Sequence, residues 1–339
     1  MGLFDTIVRV LKSVQQGGSP QGDVEKALTT ADFASDLGLL QPETEERYHA
    51  EILKVPTLLQ RVNLIPRMKS PKRQLNRLGY LSRLLKPVAT EGAAVTEVKP
   101  TPTTVELDAS HSYRGITSPS YEMLEEAIEA NMNAGMPLDE AVLATLLKLG
   151  SERVALDWED LILNSELGGT DPDIDDFDGA FSLATNDYDH GGSPVSSDLF
   201  HGMLMKLDSK FLQRSKELMF FVSPKTLRYF RAYLRKRGTE LGDVMSFQAS
   251  SDVTLYAEGH ELVSTAMVPE ALGVGADRTK ALLMDPRNLY VGSMRGVQVI
   301  VDNRPSTGSI DLVWRLRTGC KFLFPEAVVN GIEIKMAAA

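Results

Sequence analysis

The sequence predicts a mixed α+β fold, because one long helical segment and one long β-hairpin precede many short strands. Residues 118–166 are acidic and carry apolar side chains at helical spacing, which predicts a long helix, here called the spine helix. Within residues 75–116, Val105 and Leu107 alternate with acidic residues, the period of a half-buried strand, which predicts a long hairpin. In the second half, short apolar runs separated by Gly, Pro and Asp turns predict strands.

The first residues predict a short amphipathic helix followed by a polar arm. The helix ends at residues 17–20, which contain two glycines and a proline. Residues 21–53 are polar and have no firm period, so we expect an extended arm that lies on a surface, within the chain or on a neighbour. The apolar residues that define the helix are Leu3, Phe4, Ile7, Val8, Leu11 and Val14.

The spine helix is predicted to start at Ser118 and Pro119, because Ser caps free N–H groups and Pro has a φ suited to the first helical turn. Residues 135–137 interrupt it, and it resumes at Leu138. A helix that is apolar on more than one side must pack against more than one neighbour. Its two stripes are Val142, Leu146 and Leu149, then Val154, Trp158, Leu161 and Ile162.

The second half predicts two helices among its strands. The first is amphipathic and covers residues 198–214. The second begins at Ser223 and Pro224 and runs to about Arg237. Its outer face is basic, with Lys225, Arg228, Arg231, Arg235, Lys236 and Arg237. The predicted strands are 218–222, 253–256, 262–267, 281–284, 290–293, 297–301, 310–316, 319–324 and 332–334.

Charge is divided unevenly along a chain whose formal net charge is −10. That net charge argues against adsorption of the whole protein to nucleic acid or anionic lipid, although a local basic patch remains compatible with it. Residues 52–90 contain no acid and nine basic residues, whereas residues 122–189 contain eighteen acids and only Lys148 and Arg153. The basic set is Lys54, Arg61, Arg67, Lys69, Lys72, Arg73, Arg77, Arg83 and Lys86.

Two interpretations of this division are open. Both segments are solvated faces, the usual case for an arbitrary protein, or the basic segment contacts the acidic one within a chain or between copies. A single-stranded nucleic-acid platform would need interleaved aromatic residues, and Tyr80 stands alone. The candidate contacts between copies are Arg67, Lys69, Lys72, Arg73, Arg77, Arg83, Glu122, Glu125, Glu126 and Glu129.

No catalytic, cofactor or metal-binding motif is present, so we assign no residues to those roles and expect a protein that is not an enzyme. The five histidines are scattered, and Cys320 lies in an apolar run typical of a buried residue. The acidic loop 170–178 lacks the calcium-binding register from Asp171, since Asp176 and Ser182 replace the required Gly and Glu. No segment has the roughly 18 apolar residues that span a bilayer.

The order of these elements resembles the major capsid proteins of tailed bacteriophages, the Hong Kong-type fold that encapsulin shells share. An N-terminal arm, a long hairpin with an Ala- and Thr-rich tip at 92–97, a strand, and an acidic spine helix ending at 159–164 follow one another. The stretch 221–226 before a helix, the late strands 284–291 and 296–301, and the return at 310–324 are similar to the second half of that fold. The resemblance covers roughly residues 55–335.

The resemblance implies an N-terminal arm (1–54), a strand and extended hairpin loop (55–117), the spine helix of a peripheral domain (118–180), an axial domain (181–303) and return strands of the peripheral domain (304–339). It implies hexamers and pentamers in an icosahedral shell that encloses double-stranded DNA without sequence-specific contacts. The implied partners are a separate scaffolding protein, a portal and, as an option, a decoration protein. No membrane is implied. The location would be the virion capsid, after assembly in the host cytoplasm.

Two alternatives remain. Within the same fold, the chain is an encapsulin-like shell around a protein cargo. In a different class, it is a soluble α+β enzyme or binding module whose site comes from distant parts of the chain.

Overall fold

The computed structural model describes residues 56–79, 99–120, 138–212, 217–236, 254–273, 275–304 and 306–338. The predicted N-terminal helix and arm, the hairpin tip and residues 121–137 of the predicted spine helix lie outside these ranges. The chain forms two compact units. Unit 1 contains residues 112–157 and 295–317 together with the N-terminal residues, and unit 2 contains residues 56–111, 158–294 and 318–339.

The strands in chain order are β1 (Asn63–Ile65), β2 (Lys72–Gly79), β3 (Thr101–Asp108), β4 (His111–Thr117), β5 (Asn186–Asp189), β6 (Pro194–Val195), β7 (Met219–Val222), β8 (Leu255–Ala257), β9 (His260–Ser264), β10 (Arg278–Met284), β11 (Leu289–Ser293), β12 (Gln298–Arg304), β13 (Ser309–Phe322) and β14 (Val329–Ala338). The helices are α1 (Leu138–Asn164), α2 (Ala180–Leu183), α3 (Ser197–Met205), α4 (Ser209–Leu212) and α5 (Pro224–Lys236). Short 3₁₀ turns cover Pro286–Asn288 and Pro325–Ala327.

Unit 1 packs one face of α1 against the antiparallel pair β12 and β13. Their register runs from Gln298 opposite Arg315 to Arg304 opposite Ser309, and β4 also pairs with β13. Gly150 of α1 lies against the indole ring of Trp314, and a Cβ there would overlap the ring. The absence of a side chain at Gly150 therefore permits this packing. The buried core is Leu147, Ile310, Leu312 and Trp314.

Unit 2 is built on a seven-stranded mixed sheet in the order β5-β14-β10-β7-β9-β8, with β6 also on β14. β7 and β9 are parallel, while β10 is antiparallel to both β7 and β14. Helices α3 and α5 share one hydrophobic core of this unit. There the Phe200 ring meets Phe220 and Phe230 edge to face, with centroids 4.9 and 4.8 Å apart. Such aromatic pairs add to the burial of apolar area.

Several sequence predictions are confirmed. α5 begins where Ser223 and Pro224 indicate, and the Ser223 hydroxyl accepts a hydrogen bond of 3.1 Å from the Thr226 N–H. The hairpin is present as β2 and β3. The second half of the spine helix is α1, whose start at Leu138 matches the prediction.

Other predictions are wrong in position. Ser118 and Pro119 do not start a helix. Ser120 bridges to Ser309, and the Pro119 carbonyl accepts a hydrogen bond from the Ile310 N–H. Proline is compatible with this pairing because it takes part only through its carbonyl, and the N–H that it lacks is not required. The predicted hairpin 75–116 ends at Asp108, since β4 leaves it to pair with β13.

In three other regions the elements are split, joined or longer than the sequence predicted. The predicted helix 198–214 is broken into α3 and α4, because the Asp208 carboxylate accepts from the Lys210 N–H and starts a new turn. The predicted strands 310–316 and 319–324 form the single strand β13, which continues through Gly319. The predicted short strand 332–334 is the ten-residue strand β14.

Candidate assembly surface

The hairpin of β2 and β3 is a regular antiparallel ribbon with two different faces. The register is continuous from Lys72 opposite Asp108 to Gly79 opposite Thr101. Residues directly opposite each other in such a pair share a face, and successive residues alternate between faces. The pattern of the sequence thus separates an inner face that contains Leu75 and Leu107 from an outer face that contains Lys72.

The inner face attaches the base of the hairpin to unit 2. Leu107 is fully buried, and Leu75 and Met68 are nearly so. They form one cluster with Ala109, and partly buried side chains such as Tyr290 pack against it. Burying a leucine side chain contributes on the order of 2 kcal/mol, so this face holds the base in place.

Close backbone contact strengthens the same attachment. A Cβ at Gly319 of β13 would overlap the carbonyl oxygen of Asp108. The end of β3 therefore lies directly on β13, and only glycine leaves the space. The Ala109 N–H also donates a 2.8 Å hydrogen bond to the Pro71 carbonyl, which closes the base of the ribbon.

The outer face is exposed and mostly polar. Lys72, Gln74, Asn76 and Thr104 are exposed along it. Toward the tip, Leu78 stands opposite Pro102, and Leu78 is 72% exposed. The described end of the outer face is therefore apolar. No cluster of the described residues covers it.

Lys72 is paired within the hairpin. Its Nζ lies 2.7 Å from Glu106 and 3.4 Å from Asp108, both on the outer face of β3. The hydrogen bond and charge of Glu106 raise the pKa of Lys72. Partial burial raises the pKa of Asp108, but hydrogen bonds from Ser110 and Lys72 outweigh it, so the net shift is downward. This exposed ion pair aligns the two strands and adds little stability.

Arg77 also has partners within the chain. Its guanidinium donates to the Leu323 carbonyl at 3.4 Å and lies 5.4 Å from the centre of the Phe324 ring. Both contacts are weak. They show that Arg77 has partners within its own chain, in addition to the contact between copies that its charge predicted.

The other predicted contact residues fall into two groups. Arg67, Lys69 and Arg73 are exposed, and within the described ranges no hydrogen bond or ion pair engages their side chains. Arg83, Glu122, Glu125, Glu126 and Glu129 lie outside the described residues. The structure therefore tests neither the pairing of the basic and acidic segments nor their role between copies.

Sequence reasoning missed the role of Glu159. Its carboxylate is fully buried, and one oxygen accepts a 2.9 Å hydrogen bond from the Leu58 N–H. The neighbouring backbone N–H groups of Thr57 and Leu59 also favour the charged form of this carboxylate. Burial raises the pKa of Glu159, and these amides lower it in part. Glu159 thus holds the start of the basic segment against α1. The available signal was its spacing of three residues from the apolar Leu156 and Ile162, which places Glu159 on their face of the helix.

The described residues contain no group of three or more His, Cys, Asp or Glu side chains that could hold a metal ion. Asp171 and Asp178 of the acidic loop accept hydrogen bonds from the backbone N–H groups of Asp173 and Leu167. Cys320 is buried, as its sequence context predicted, and burial raises its pKa to about 12, which is unsuited to a nucleophile. Among the described helices, none has the length and apolar character needed to cross a membrane.

This chain was compared with known protein families, sequences and structures. No family model matches the chain. YqbE of Bacillus subtilis (strain 168), which is named as a prophage capsid protein, is 23% identical over 320 residues, 92% of this chain and 98% of YqbE. The capsid of the native GTA particle superimposes with a TM-score of 0.60 and 15% identity, over 92% of this chain and all of that one.

Two further structures agree. The capsid of Myoviridae phage XM1 matches with a TM-score of 0.60 and 11% identity, over 88% of this chain and all of that one. The chain has the capsid fold of tailed bacteriophages. The SrpI encapsulin of Synechococcus elongatus PCC 7942 also matches, with a TM-score of 0.50 and 14% identity, over 85% of this chain and 93% of its own. The predicted resemblance to phage major capsid proteins and encapsulins is thus confirmed.

Proposed function

We propose that this protein is a major capsid subunit that self-assembles into an icosahedral shell around phage double-stranded DNA. The observation that carries the proposal is the capsid fold over nearly the whole chain, together with its sequence relationship to a prophage capsid protein.

In this proposal the parts of the chain have the roles implied by the fold. Residues 1–54 are the arm, 55–117 the strand and extended hairpin loop, and 118–180 the spine of the peripheral domain. Residues 181–303 are the axial domain, and 304–339 return to the peripheral domain. Support comes from the continuous β2–β3 ribbon and from the length of α1, 27 residues.

The outer face of the hairpin is the proposed contact with a neighbouring subunit. This face is exposed and ends in the pair Leu78 and Pro102. The proposed contact also includes three exposed basic residues at the base of the hairpin that lack partners among the described residues: Arg67, Lys69 and, opposite Leu107 on the other face of the ribbon, Arg73. The expected acidic counterpart is the group of Glu122, Glu125, Glu126 and Glu129 on a second copy. Opposite charges of this kind select register and orientation between subunits more than they add affinity.

Closed shells require contacts between different surfaces of identical subunits, and many such weak contacts together give a stable particle. We propose hexamers and pentamers as the building units. A separate scaffolding protein, a portal and, in some shells, a decoration protein are the proposed partners. The proposed location is the virion capsid after assembly in the host cytoplasm.

Electron microscopy of purified protein, expressed alone and with candidate scaffolding partners, tests the proposal. Icosahedral shells, or hexamers and pentamers that convert to shells, are the expected products. A stable monomer or dimer under every condition would overturn the proposal.

An encapsulin-like shell is the second candidate, and the match to the SrpI encapsulin favours it. The contents of particles isolated from the native host separate the two candidates. Nuclease-protected DNA of genome length supports the phage capsid, whereas a defined cargo protein without DNA supports the encapsulin.

A further inference from the structure

Helix α5 carries positive charge that neither the fold nor the proposed contacts between subunits use. It contains five basic residues and no acidic one. Lys225 is paired with Glu270 at 2.8 Å. Within the described parts of the chain, no hydrogen bond, ion pair or ring contact engages Arg228, Arg231 or Arg235.

These three arginines lie on one side of the helix. Their spacing of three and four residues places them in a row roughly 10 Å long, given the rise of 1.5 Å per residue. Arg228 and Arg235 are exposed, and Arg231 is half-buried. The opposite side packs into the core of unit 2 through Phe230, with Leu227 and Tyr233 beside it. Because the Phe230 side of the helix is packed into the core, the three arginines face away from that core.

Helix stability does not explain the row. A basic residue in the last turn interacts favourably with the helix dipole, which accounts for Arg235. Arg228 and Arg231 lie in the middle of the helix, where like charges three residues apart cost a few tenths of a kcal/mol. Glutamine, which has a similar helix propensity and no charge, would avoid this repulsion at those positions.

The composition of the exposed side indicates the class of partner. Its exposed residues are all basic, and none of the exposed large apolar side chains of the described chain lies on α5. The centre of a protein–protein interface is usually apolar and depleted of charge. A row of guanidinium groups without an apolar centre suits phosphate groups, which arginine binds with two parallel hydrogen bonds.

We propose that the α5 arginine row (Arg228, Arg231 and Arg235) binds the phosphate backbone of double-stranded DNA without sequence preference. This inference rests on the proposed function, because it assigns the α5 face to the DNA side of the shell. On a chain with a net charge of −10, most of the surface repels DNA. Contact through three arginines is therefore weak and strongly dependent on salt.

The test measures binding of the full-length, unassembled protein to a labelled duplex of about 30 base pairs by fluorescence anisotropy, from about 25 to 200 mM salt. The variant R228Q/R231Q/R235Q should bind at least about tenfold more weakly at the lowest salt. Its slope of log affinity against log salt should fall by about 2 to 3, since each phosphate contact contributes about 0.9. R228K/R231K/R235K keeps the charge and should retain most of the slope.

The matched control is R295Q/R315Q/R317Q, which removes the same charge from exposed arginines of unit 1 that also lack partners among the described residues. It should bind DNA like the wild type. Equal loss in both triple variants, or no measurable binding by the wild type, would overturn the inference. So would normal DNA binding combined with failed assembly of the α5 variant, which would assign the row to a protein contact.

Electron microscopy of the same preparations separates the two proposals. Wild-type shells together with unaltered DNA binding by the α5 variant refute only the DNA contact. Absence of shells under every condition refutes the capsid function, whatever the DNA measurement shows.

Discussion

The buried carboxylate of Glu159 accepts a hydrogen bond from the backbone N–H of Leu58, 101 residues earlier in the chain. The neighbouring backbone amides of Thr57 and Leu59 also favour the charged form of the same carboxylate. One side chain near the end of α1 thus holds the start of the segment that leads into the hairpin. Its removal tests how far that segment depends on α1.

We expect Glu159→Ala to lower the free energy of unfolding of the subunit by about 1 to 3 kcal/mol, because the buried N–H of Leu58 loses its acceptor. Glu159→Gln keeps an acceptor oxygen and should stay within about 1 kcal/mol of the wild type at neutral pH. Urea unfolding of the unassembled subunit measures both. Equal losses for Ala and Gln would show that the hydrogen bond from Leu58 contributes nothing.

The same carboxylate predicts a dependence of stability on pH. Burial places the pKa of Glu159 in the folded state above its ordinary value of 4.5, so the folded state binds this proton more tightly than the unfolded chain does. The contribution to stability is therefore full below the unfolded pKa and is lost as pH rises through the folded pKa. Glu159→Gln should flatten this part of the profile, while the exposed control Glu152→Gln should not. Identical profiles for wild type and Glu159→Gln would contradict the account.

Gly319 tests the close attachment of the hairpin to β13. In Gly319→Ala the new methyl group would overlap the Asp108 carbonyl, and we expect a loss of about 1 to 3 kcal/mol of unfolding free energy. Gly115→Ala is the matched control, because nothing lies within 4 Å of a Cβ there, and it should change stability by less than about 0.5 kcal/mol. Similar stabilities for the two variants would refute the close approach.

The charge of the hairpin base predicts an assembly defect without unfolding. The variant R67E/K69E/R73E changes three exposed residues that lack partners among the described residues, so the melting temperature of the subunit should not change. Assembly should fall at least about tenfold if these residues meet acidic neighbours. Light scattering measures the yield of particles. R295E/R315E/R317E is the matched control, since it reverses the same charge on three exposed arginines of unit 1 that also lack partners among the described residues, and its particle yield should stay normal. Normal particle yield from the triple variant would show that these three residues do not form a contact needed for assembly.

Cys320 should resist modification. Its thiol is buried and its pKa is raised to about 12, so little thiolate exists at pH 8. We expect the folded protein to react with a thiol reagent at least about 100-fold more slowly than the urea-unfolded chain. Comparable rates in the two states would mean that β13 is not packed around Cys320 as the structure describes.

Local patterns predicted the elements whose causes are local. The alternation of Val105 and Leu107 with acids predicted β3, and the Ser223–Pro224 pair predicted the start of α5, because each depends on neighbouring residues only. The same Ser-Pro pattern failed at Ser118 and Pro119, where pairing with β13 decides the conformation. A helix-capping motif does not show whether pairing with a strand almost two hundred residues away is more favourable than the helix.

The features that position the assembly surface were the least predictable. Glu159 bonds to backbone amides, which every residue possesses, so no residue type marks its partners. Gly319 reads as an ordinary strand glycine until Asp108 is seen against it. Charge counting did identify Lys72 and Arg77, but it could not show that both have partners within their own chain.

The most direct test of the central claim is negative-stain electron microscopy of the full-length protein, purified alone and after co-expression with candidate scaffolding proteins. We expect closed icosahedral shells, or pentamers and hexamers that convert to them. A stable monomer or dimer under every condition would contradict the claim that this chain is a capsid subunit.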